Sequence, residues 1–349
     1  MEHHKVGRVR LGIIGCGHMA RQHAGRFNRL SDRVSLTVAV DKYEERAESV
    51  AGDFEGCRAF TDYKEILDEV DAVLIALPHH DHHLTAKFFL NAGKHILLEK
   101  PMANNDEDCV DLINSAATSS SVFMIAYVMR YHPLVVRMKE LLDQKAYGDV
   151  FQMSIWTEQL TKFGPDYWGS SARKLGGGQF FSHGCHYVDI LLWFLGRPVR
   201  GSHLGTNFGT PWMEEEGTSN VVIEFAGGKL GYHFGTWGAR GTKLGYSFQA
   251  HCTEGMLEIN FQTGKLLGHK NVRGETVRDE TEVLLNVQGR KFTENELAHF
   301  LDCVETGARP LTDAPGSLQG LRLIWRLYEA EKKRLVADLR GLGLDEYQQ

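Results

Sequence analysis

The stretch Arg10-Leu11-Gly12-Ile13-Ile14-Gly15-Cys16-Gly17-His18-Met19-Ala20 decides the fold. Leu11, Ile13 and Ile14 make a short apolar run of the kind expected of a strand buried on both faces. It leads into Gly15-x-Gly17-x-x-Ala20 and then into residues 18–28, whose apolar spacing fits a helix. Strand, tight glycine turn and helix, in that order, form the context of a dinucleotide fingerprint. The first glycine permits the turn, the second lets the backbone approach a pyrophosphate, and the small Ala20 lets the helix pack close to the strand. The start of that helix offers N–H groups and positive dipole to phosphates. A second apolar run, 34–40, ends on Asp41, about 20 residues beyond the turn. A carboxylate there accepts hydrogen bonds from ribose hydroxyls and repels a 2′-phosphate. The expected cofactor is therefore NAD rather than NADP, a preference tempered by Lys42 next door.

Outward from this stretch, strand and helix patterns alternate. Residues 43–51 read as a helix, 58–60 as a strand, and 62–67 as a helix that Asp62 caps. The apolar run 71–77 is a buried strand ending at Pro78, followed by His79-His-Asp-His-His83. Those residue types suit zinc, but neighbours on a loop point in different directions, so no metal site is expected and the segment reads as a cofactor-side loop. Asp81 reads as the cap of a helix over 82–91, which Gly93 closes. Strand 95–98 then delivers Glu99-Lys100-Pro101 at its carboxyl end, where open α/β sheets bind ligands. Helix 105–115 and strand 122–127 complete a parallel, doubly wound sheet.

The second half reads differently. Strands are expected at 150–159, 220–225, 229–237, 246–252, 256–260 and 282–285, some joined by tight glycine turns into a mostly antiparallel sheet. Helices are expected at 190–195, 293–305 and 315–334, with 344–349 frayed. Trp156, Trp168, Trp212 and Trp237 offer flat apolar area that suits a sugar pocket, a core or an interface.

At 349 residues the chain has room for about two domains. Their expected bounds are 1–128 and 129–349, with the C-terminal helices able to pack back on the first. Hydrophobic and charged fractions of 42% and 24% are those of an ordinary globular protein. A net charge of -6 without a basic block argues against a nucleic-acid partner. Six cysteines without CxxC spacing read as reduced thiols. Met1-Glu-His-His-Lys5 has no signal-peptide core and no apolar run is long enough to span a membrane, so a cytoplasmic protein is expected.

Taken together, the chain resembles the glucose–fructose oxidoreductase/inositol dehydrogenase (Gfo/Idh/MocA) family. The resemblance is carried by Gly15-Cys-Gly-His-Met-Ala20, Leu77-Pro78 with His82, Gly93-Lys-His-Ile-Leu-Leu-Glu-Lys-Pro101 and Arg130-Tyr-His-Pro133. Gly176-Gly-Gly178, Gly184-x-His186-x-x-Asp189, Glu296-Leu-Ala-His-Phe300 and Arg309-Pro-Leu-Thr-Asp313 extend it almost end to end. It implies a Rossmann domain followed by an α+β domain whose large open sheet forms homodimers or homotetramers. It also implies cofactor contacts from Gly15, Cys16, Gly17, His18, Met19, Asp41, Lys42, Leu77, Pro78, His82, Glu99, Lys100 and Arg130.

Lys100 takes the position of the family lysine beside the nicotinamide, where an ammonium stabilises a developing alkoxide. Arg130, His132, Trp168, Arg173, His183, His186 and Tyr187 are the other candidate substrate contacts. In the family an aspartate orients the histidine matching His186, whereas this chain has Ser182 in its place. If 182 onwards is helical, Ser182, His186 and Asp189 share one face. A serine cannot stabilise an imidazolium as a carboxylate does. Three readings stay open: His186 is the base with other orienting groups, proton removal shifts to Lys100 or His183, or these histidines are structural. The function implied is NAD-dependent oxidation of a ring hydroxyl in a sugar, cyclitol or glycoside. A redox-neutral glycosidase acting by transient C3 oxidation and elimination is the first alternative. A non-catalytic NAD-binding sensor is the second.

Overall fold

The computed structural model describes residues 8–271, 279–289 and 292–343. The expectations for Met1–Lys5 and for 344–349 lie outside the described residues. The chain divides into two compact units, Met1–Val128 with Phe292–Leu318, and Met129–Lys291 with Gln319–Gln349.

The first unit runs β1 (Val9–Ile14), α1 (His18–Phe27), β2 (Val34–Val40), α2 (Glu44–Ala51), β3 (Arg58–Phe60), β4 (Ala72–Ile75), α3 (His82–Asn91), β5 (His95–Glu99), α4 (Asp106–Thr118) and β6 (Phe123–Ala126). The strands form one parallel sheet in the order β3-β2-β1-β4-β5-β6. Strand order reverses between β1 and β4, which makes the crevice beyond their carboxyl ends the place for a ligand. Leu11, Ile13, Val73 and Leu74 have no exposed surface, and full burial of each such side chain contributes about 1.5–3 kcal/mol. Helix α1 buries Ala20, His23, Ala24 and Phe27, one helical stripe. Its far side carries Arg26, which pairs at 3.1 Å with Glu294 on the later helix Thr293–Thr306 of the same unit.

Two local expectations change. The span 62–67 forms two 3-10 turns, Tyr63–Glu65 and Leu67–Glu69, because Ile66 leaves helical geometry between them while its side chain is fully buried. Asp62 still caps, accepting the Lys64 N–H at 2.9 Å. Asp81 does not cap α3: it ends a 3-10 turn with helical backbone angles and makes no capping bond.

The second unit holds α5 (Pro133–Asp143), β7 (Val150–Glu158), the short α6 (Ala172–Leu175), a π-turn (Phe180–Gly184), α7 (Cys185–Leu195), β8 (Pro198–Thr206), β9 (Thr218–Phe225), β10 (Leu230–Thr236), β11 (Tyr246–Cys252), β12 (Gly255–Asn260), β13 (Lys265–Asn271) and β14 (Asp279–Asn286). Helix α8 (Thr293–Thr306) belongs to the first unit. Helix α9 (Ala314–Lys332) and β15 (Ala337–Asp338) follow it. Among the described residues nine strands form a sheet ordered β14-β13-β12-β11-β7-β10-β9-β8-β15, antiparallel except where β10 runs parallel to β7. Strands β8, β13 and β15 were not expected. Gly201 and Gly205 interrupt the apolar alternation of β8, while in β13 the adjacent Leu266 and Leu267, followed by Gly268 and His269, do not alternate, and β15 has two residues. Helix α7 is buried on nearly every side, and Val188, Ile190 and Leu191 have no exposed surface.

His132 and His233 belong to this unit's interior. His132 caps α5, its Nδ1 accepting the Leu134 N–H at 3.2 Å, and His233 packs flat against Tyr187 with ring centres 5.1 Å apart. Burial holds their imidazoles down, to about 4 and about 3. Both are neutral in the fold, so their stabilising contribution is full above the unfolded value near 6.5 and declines as pH falls below it. Urea unfolding at pH 6.5 and 5.5 is expected to show a loss of about 2 kcal/mol from the pair. Stability that does not fall would contradict neutral burial.

Candidate functional site

The first unit gathers its functional residues at the carboxyl ends of β1, β2, β4 and β5. Gly15 adopts φ +88°, and a Cβ there would lie 2.6 Å from the Ala76 carbonyl oxygen. The turn therefore passes directly against the end of β4 and tolerates only glycine. Beside Gly17, which precedes α1, a Cβ would meet nothing within 4 Å, so the turn keeps an open side. Both glycine roles suit a backbone that cradles a pyrophosphate. Ala20 is fully buried against the strand, while His18 is exposed and Met19 half-buried. The Cys16 thiol is buried and pushed up to about 12, so Cys16 contributes backbone to the turn and no reactive sulfur. Gly15→Ala is expected to cost about 1–3 kcal/mol of stability through backbone strain and to weaken NAD binding by more than about tenfold. Titration calorimetry and a thermal midpoint check both, and unchanged NAD affinity would contradict the assignment of the turn.

Asp41 is half-buried, and its carboxylate accepts the Cys16 N–H at 2.9 Å and the Tyr43 N–H at 3.0 Å. Those bonds fix the carboxylate at the turn and leave it acceptor capacity for ribose hydroxyls. The exposed Lys42 lies 5.1 Å from the Tyr43 ring centre. Leu77 and Pro78 are half-buried after β4.

His82 turns inward. Its ring lies between two backbone oxygens, Leu77 O at 2.9 Å from Nε2 and Pro101 O at 2.8 Å from Nδ1. Burial lowers the imidazole and the two carbonyls oppose that. With no exposed surface and its ring wedged between the two carbonyl oxygens, to one of which a neutral imidazole donates its single N–H, His82 links the loop after β4 to the loop after β5. Glu99 is buried too, its carboxylate 2.9 Å from Nε2 of His23 on α1. The carboxylate is thus tied to α1, and His23 gave no sequence signal beyond its place on the apolar stripe. Lys100 follows, half-buried, and its peptide bond to Pro101 is cis.

The histidine-rich segment points its side chains in different directions. His79 and His82 are buried, His80 is exposed, and His83 pairs with Asp111 at 2.6 Å. Among the described residues no group of three metal-ligating side chains converges.

In the second unit the expected oxygen-binding residues separate. Arg130 grips Asp189 through two bonds of 2.7 Å and lies 5.0 Å from the Trp193 ring centre. Both side chains are largely buried, so the pair is a fixed part of this unit, and the Asp189 carboxylate is engaged by Arg130 rather than by His186. His132 is the buried cap of α5. Trp168 and Trp212 pack beside the cluster of Leu175, Met213 and Trp237, whereas Trp156 meets Tyr232 at a ring distance of 6.0 Å on the sheet. Arg173 is exposed on α6.

Residues 180–184 form a π-helical segment that runs into α7, where the sequence predicts an α-helix from about 182, and Ser182, His186 and Asp189 are all buried. Ser182 and His186 are buried, at 5% and 8% exposure, while His183 is more open. Around His183 a directed chain of hydrogen bonds runs through the unit. Ser219 O–H donates to Gln179 Oε1 at 3.0 Å, which turns the Gln179 amide N–H towards His183 Nδ1 at 3.3 Å. That leaves the imidazole proton on Nε2, 3.4 Å from the hydroxyls of Tyr187 and Tyr246. Tyr246 in turn donates its O–H to Gln159. Gln179 is wholly buried, and its position four residues before His183 was the available sequence signal.

Comparison with known proteins follows the same division. Residues 9–127 match the Gfo/Idh/MocA model described as an oxidoreductase family with an NAD-binding Rossmann fold, and residues 135–258 match the family's C-terminal domain. The chain is 36% identical over 157 residues to a UDP-N-acetylglucosamine 3-dehydrogenase of Acidithiobacillus ferrooxidans, covering 45% of this chain and 47% of that protein. The match thus spans about half the length of that relative. It is 25% identical over 332 residues to D-xylose 1-dehydrogenase (NADP(+)) 2 of Haloferax volcanii, covering 94% and 99% of the two chains. A solved levoglucosan dehydrogenase in complex with NADH and L-sorbose shares the fold, with a TM-score of 0.86 at 20% identity over 96% of this chain and all of that one.

Proposed function

The chain belongs to the Gfo/Idh/MocA oxidoreductase family, and from that premise we propose that it oxidises a ring hydroxyl of a sugar, cyclitol or glycoside. NAD, when bound, supplies the hydride acceptor. The protein's own contribution is position, charge and proton handling. The glycine turn at Gly15–Gly17 and the Asp41 carboxylate hold the dinucleotide. Lys100 presents an ammonium to the hydroxyl oxygen as it loses its proton. His186 takes the hydroxyl proton together with Lys100, because the His183 ring has no lone pair left for it. His183 Nδ1 accepts from the Gln179 amide, and its Nε2 carries the proton that faces the Tyr187 and Tyr246 oxygens. The observation that carries this reading is the arrangement at the strand ends, where a glycine-only turn, a fixed acidic group and a lysine follow β1, β2 and β5 at the carboxyl edge of one parallel sheet.

The test mixes the protein with NAD and a panel of polyols and glycosides and follows absorbance at about 340 nm. Turnover with any member supports the reading, and silence across the panel together with no NAD binding by calorimetry rejects it. Aglycone release without net NADH would select the redox-neutral alternative. NAD binding with silence would select the sensor. His186→Asn is expected to lower kcat about 100-fold, and His183→Asn by less. The reverse order would move the proton role to His183.

Among the described residues no helix is long and apolar enough to cross a membrane. The outer sheet face carries Leu204, Val222 and Leu230, each between 46% and 70% exposed, which supports assembly of copies through that face. Size-exclusion chromatography with light scattering checks this, and a monomer at working concentration would oppose it.

A further inference from the structure

The segment that leaves β7 is polar at its start and aromatic at its end. It runs beside the residues that leave β10. Gln159 N–H donates to Thr236 O at 3.1 Å, Thr161 N–H to Trp237 O at 2.9 Å, and Ala239 N–H to Gln159 O at 3.2 Å. The polar start joins the tyrosines around His183, because Tyr246 O–H donates to Gln159, whose amide donates to Thr161 Oγ1 at 2.8 Å. From His183 a row of rings then meets in turn. The Trp237 ring centre lies 6.3 Å from His183 and 5.4 Å from Phe163. Phe163 stacks on Tyr167 at 5.0 Å and 22°, and Tyr167 meets Trp168 at 5.6 Å. His183 itself stands 6.2 Å from His186, ring centre to ring centre.

Backbone holds this row in place. A Cβ on Gly169 would lie 3.0 Å from the Tyr167 ring and 3.2 Å from that of Phe163, so the main chain closes directly on the stack. Tyr167 N–H and Ser170 O–H both donate to Gly164 O, each at 3.1 Å. Trp237 is 5% exposed and Tyr167 46%, so the row leads from the interior to solvent.

From this arrangement we propose that Phe163, Tyr167 and Trp168 form a subsite for a planar aromatic aglycone, which makes aryl glycosides the substrate class. The proposal rests on oxidation of a ring hydroxyl beside His186. Trp237 separates Phe163 and Tyr167 from His183, so a ring stacked on them is the neighbour of the oxidised sugar and not that sugar. An aromatic pair with one member half in solvent takes a third ring by offset stacking or edge-to-face contact. Residues 163–168 offer the hydroxyls of a second sugar only the Asp166 carboxylate, the Tyr167 hydroxyl and the Trp168 indole. The two phosphates of a sugar nucleotide need cations, and here Asp166 offsets Lys162.

The experiment compares phenyl and methyl glycosides of glucose, galactose and xylose in both anomers. Titration calorimetry into the full chain with NADH measures binding, and absorbance at about 340 nm with NAD measures turnover. The phenyl glycoside of an accepted sugar is expected to bind about 30-fold more tightly than the methyl glycoside. KM falls by a similar factor and kcat stays within about threefold, because the contact is the same in the ground and transition states. Tyr167→Ala is expected to bring the phenyl-to-methyl ratio below about threefold, while Tyr167→Phe keeps it. Thermal midpoints establish that both variants fold. Equal binding of the two glycosides, or a ratio unmoved by Tyr167→Ala, overturns the subsite, as does tighter binding of cellobiose, maltose or UDP-glucose. Turnover of phenyl and methyl glycosides alike overturns the subsite and leaves the oxidation reading standing. A phenyl preference in binding without turnover of any glycoside supports the subsite and rejects that reading.

Discussion

Lys100→Met is expected to reduce kcat by about 10²–10⁴-fold while NAD affinity stays within about threefold. Methionine keeps a chain of similar length and apolar character, so the loss reports the ammonium group rather than a hole in the packing. The lysine follows Glu99 directly at the end of β5, and that strand pairs in register with β4, which pairs with β1. Its backbone is held on one side by the buried His23–Glu99 tie and on the other by the His82 bond to Pro101 O. A charge so placed needs no reorganisation when the hydroxyl oxygen becomes negative, which is where electrostatic catalysis gains most. Absorbance at about 340 nm measures turnover, and titration calorimetry measures NAD affinity. Full turnover in the methionine variant would remove Lys100 from the chemistry. Loss of NAD affinity along with turnover would reassign it to cofactor binding.

Arg130→Met is expected to destabilise the second unit by about 3–5 kcal/mol, because it strands the Asp189 carboxylate in a largely buried site. The pair is bidentate, with both distances at 2.7 Å, and the guanidinium also faces the Trp193 ring. Breaking one partner of such a pair costs far more than replacing both. The double variant Arg130→Met with Asp189→Leu is therefore expected to recover most of the loss. Urea midpoints of the two single variants and the double variant measure this directly. A single variant as stable as wild type, but with KM raised by an order of magnitude, would restore the substrate contact expected from the sequence.

Much of the fold was legible because it is local. The apolar runs of β1 and β4, the glycine turn, the Asp41 position and the Gly93 and Gly196 helix ends all follow from periodicity or from backbone conformations few residues adopt. The strands that went unread, β8 and β13, lack that signal because glycines or polar residues break the alternation.

Site residues divided along the same line. Residues whose role is carried by their backbone, such as Gly15, could be read from the chain alone. The partner of a buried polar side chain could not. His82, Glu99, Arg130 and His132 all looked like ligand contacts, and the chain alone did not show that each also has a partner inside the protein, at Pro101, His23, Asp189 and Leu134 respectively. By itself the sequence determined the doubly wound sheet, the dinucleotide turn and the lysine at the strand end. Only the tertiary structure decided which polar groups remain for chemistry, because a buried donor or acceptor must find a partner, and that partner is set by packing between segments tens to hundreds of residues apart.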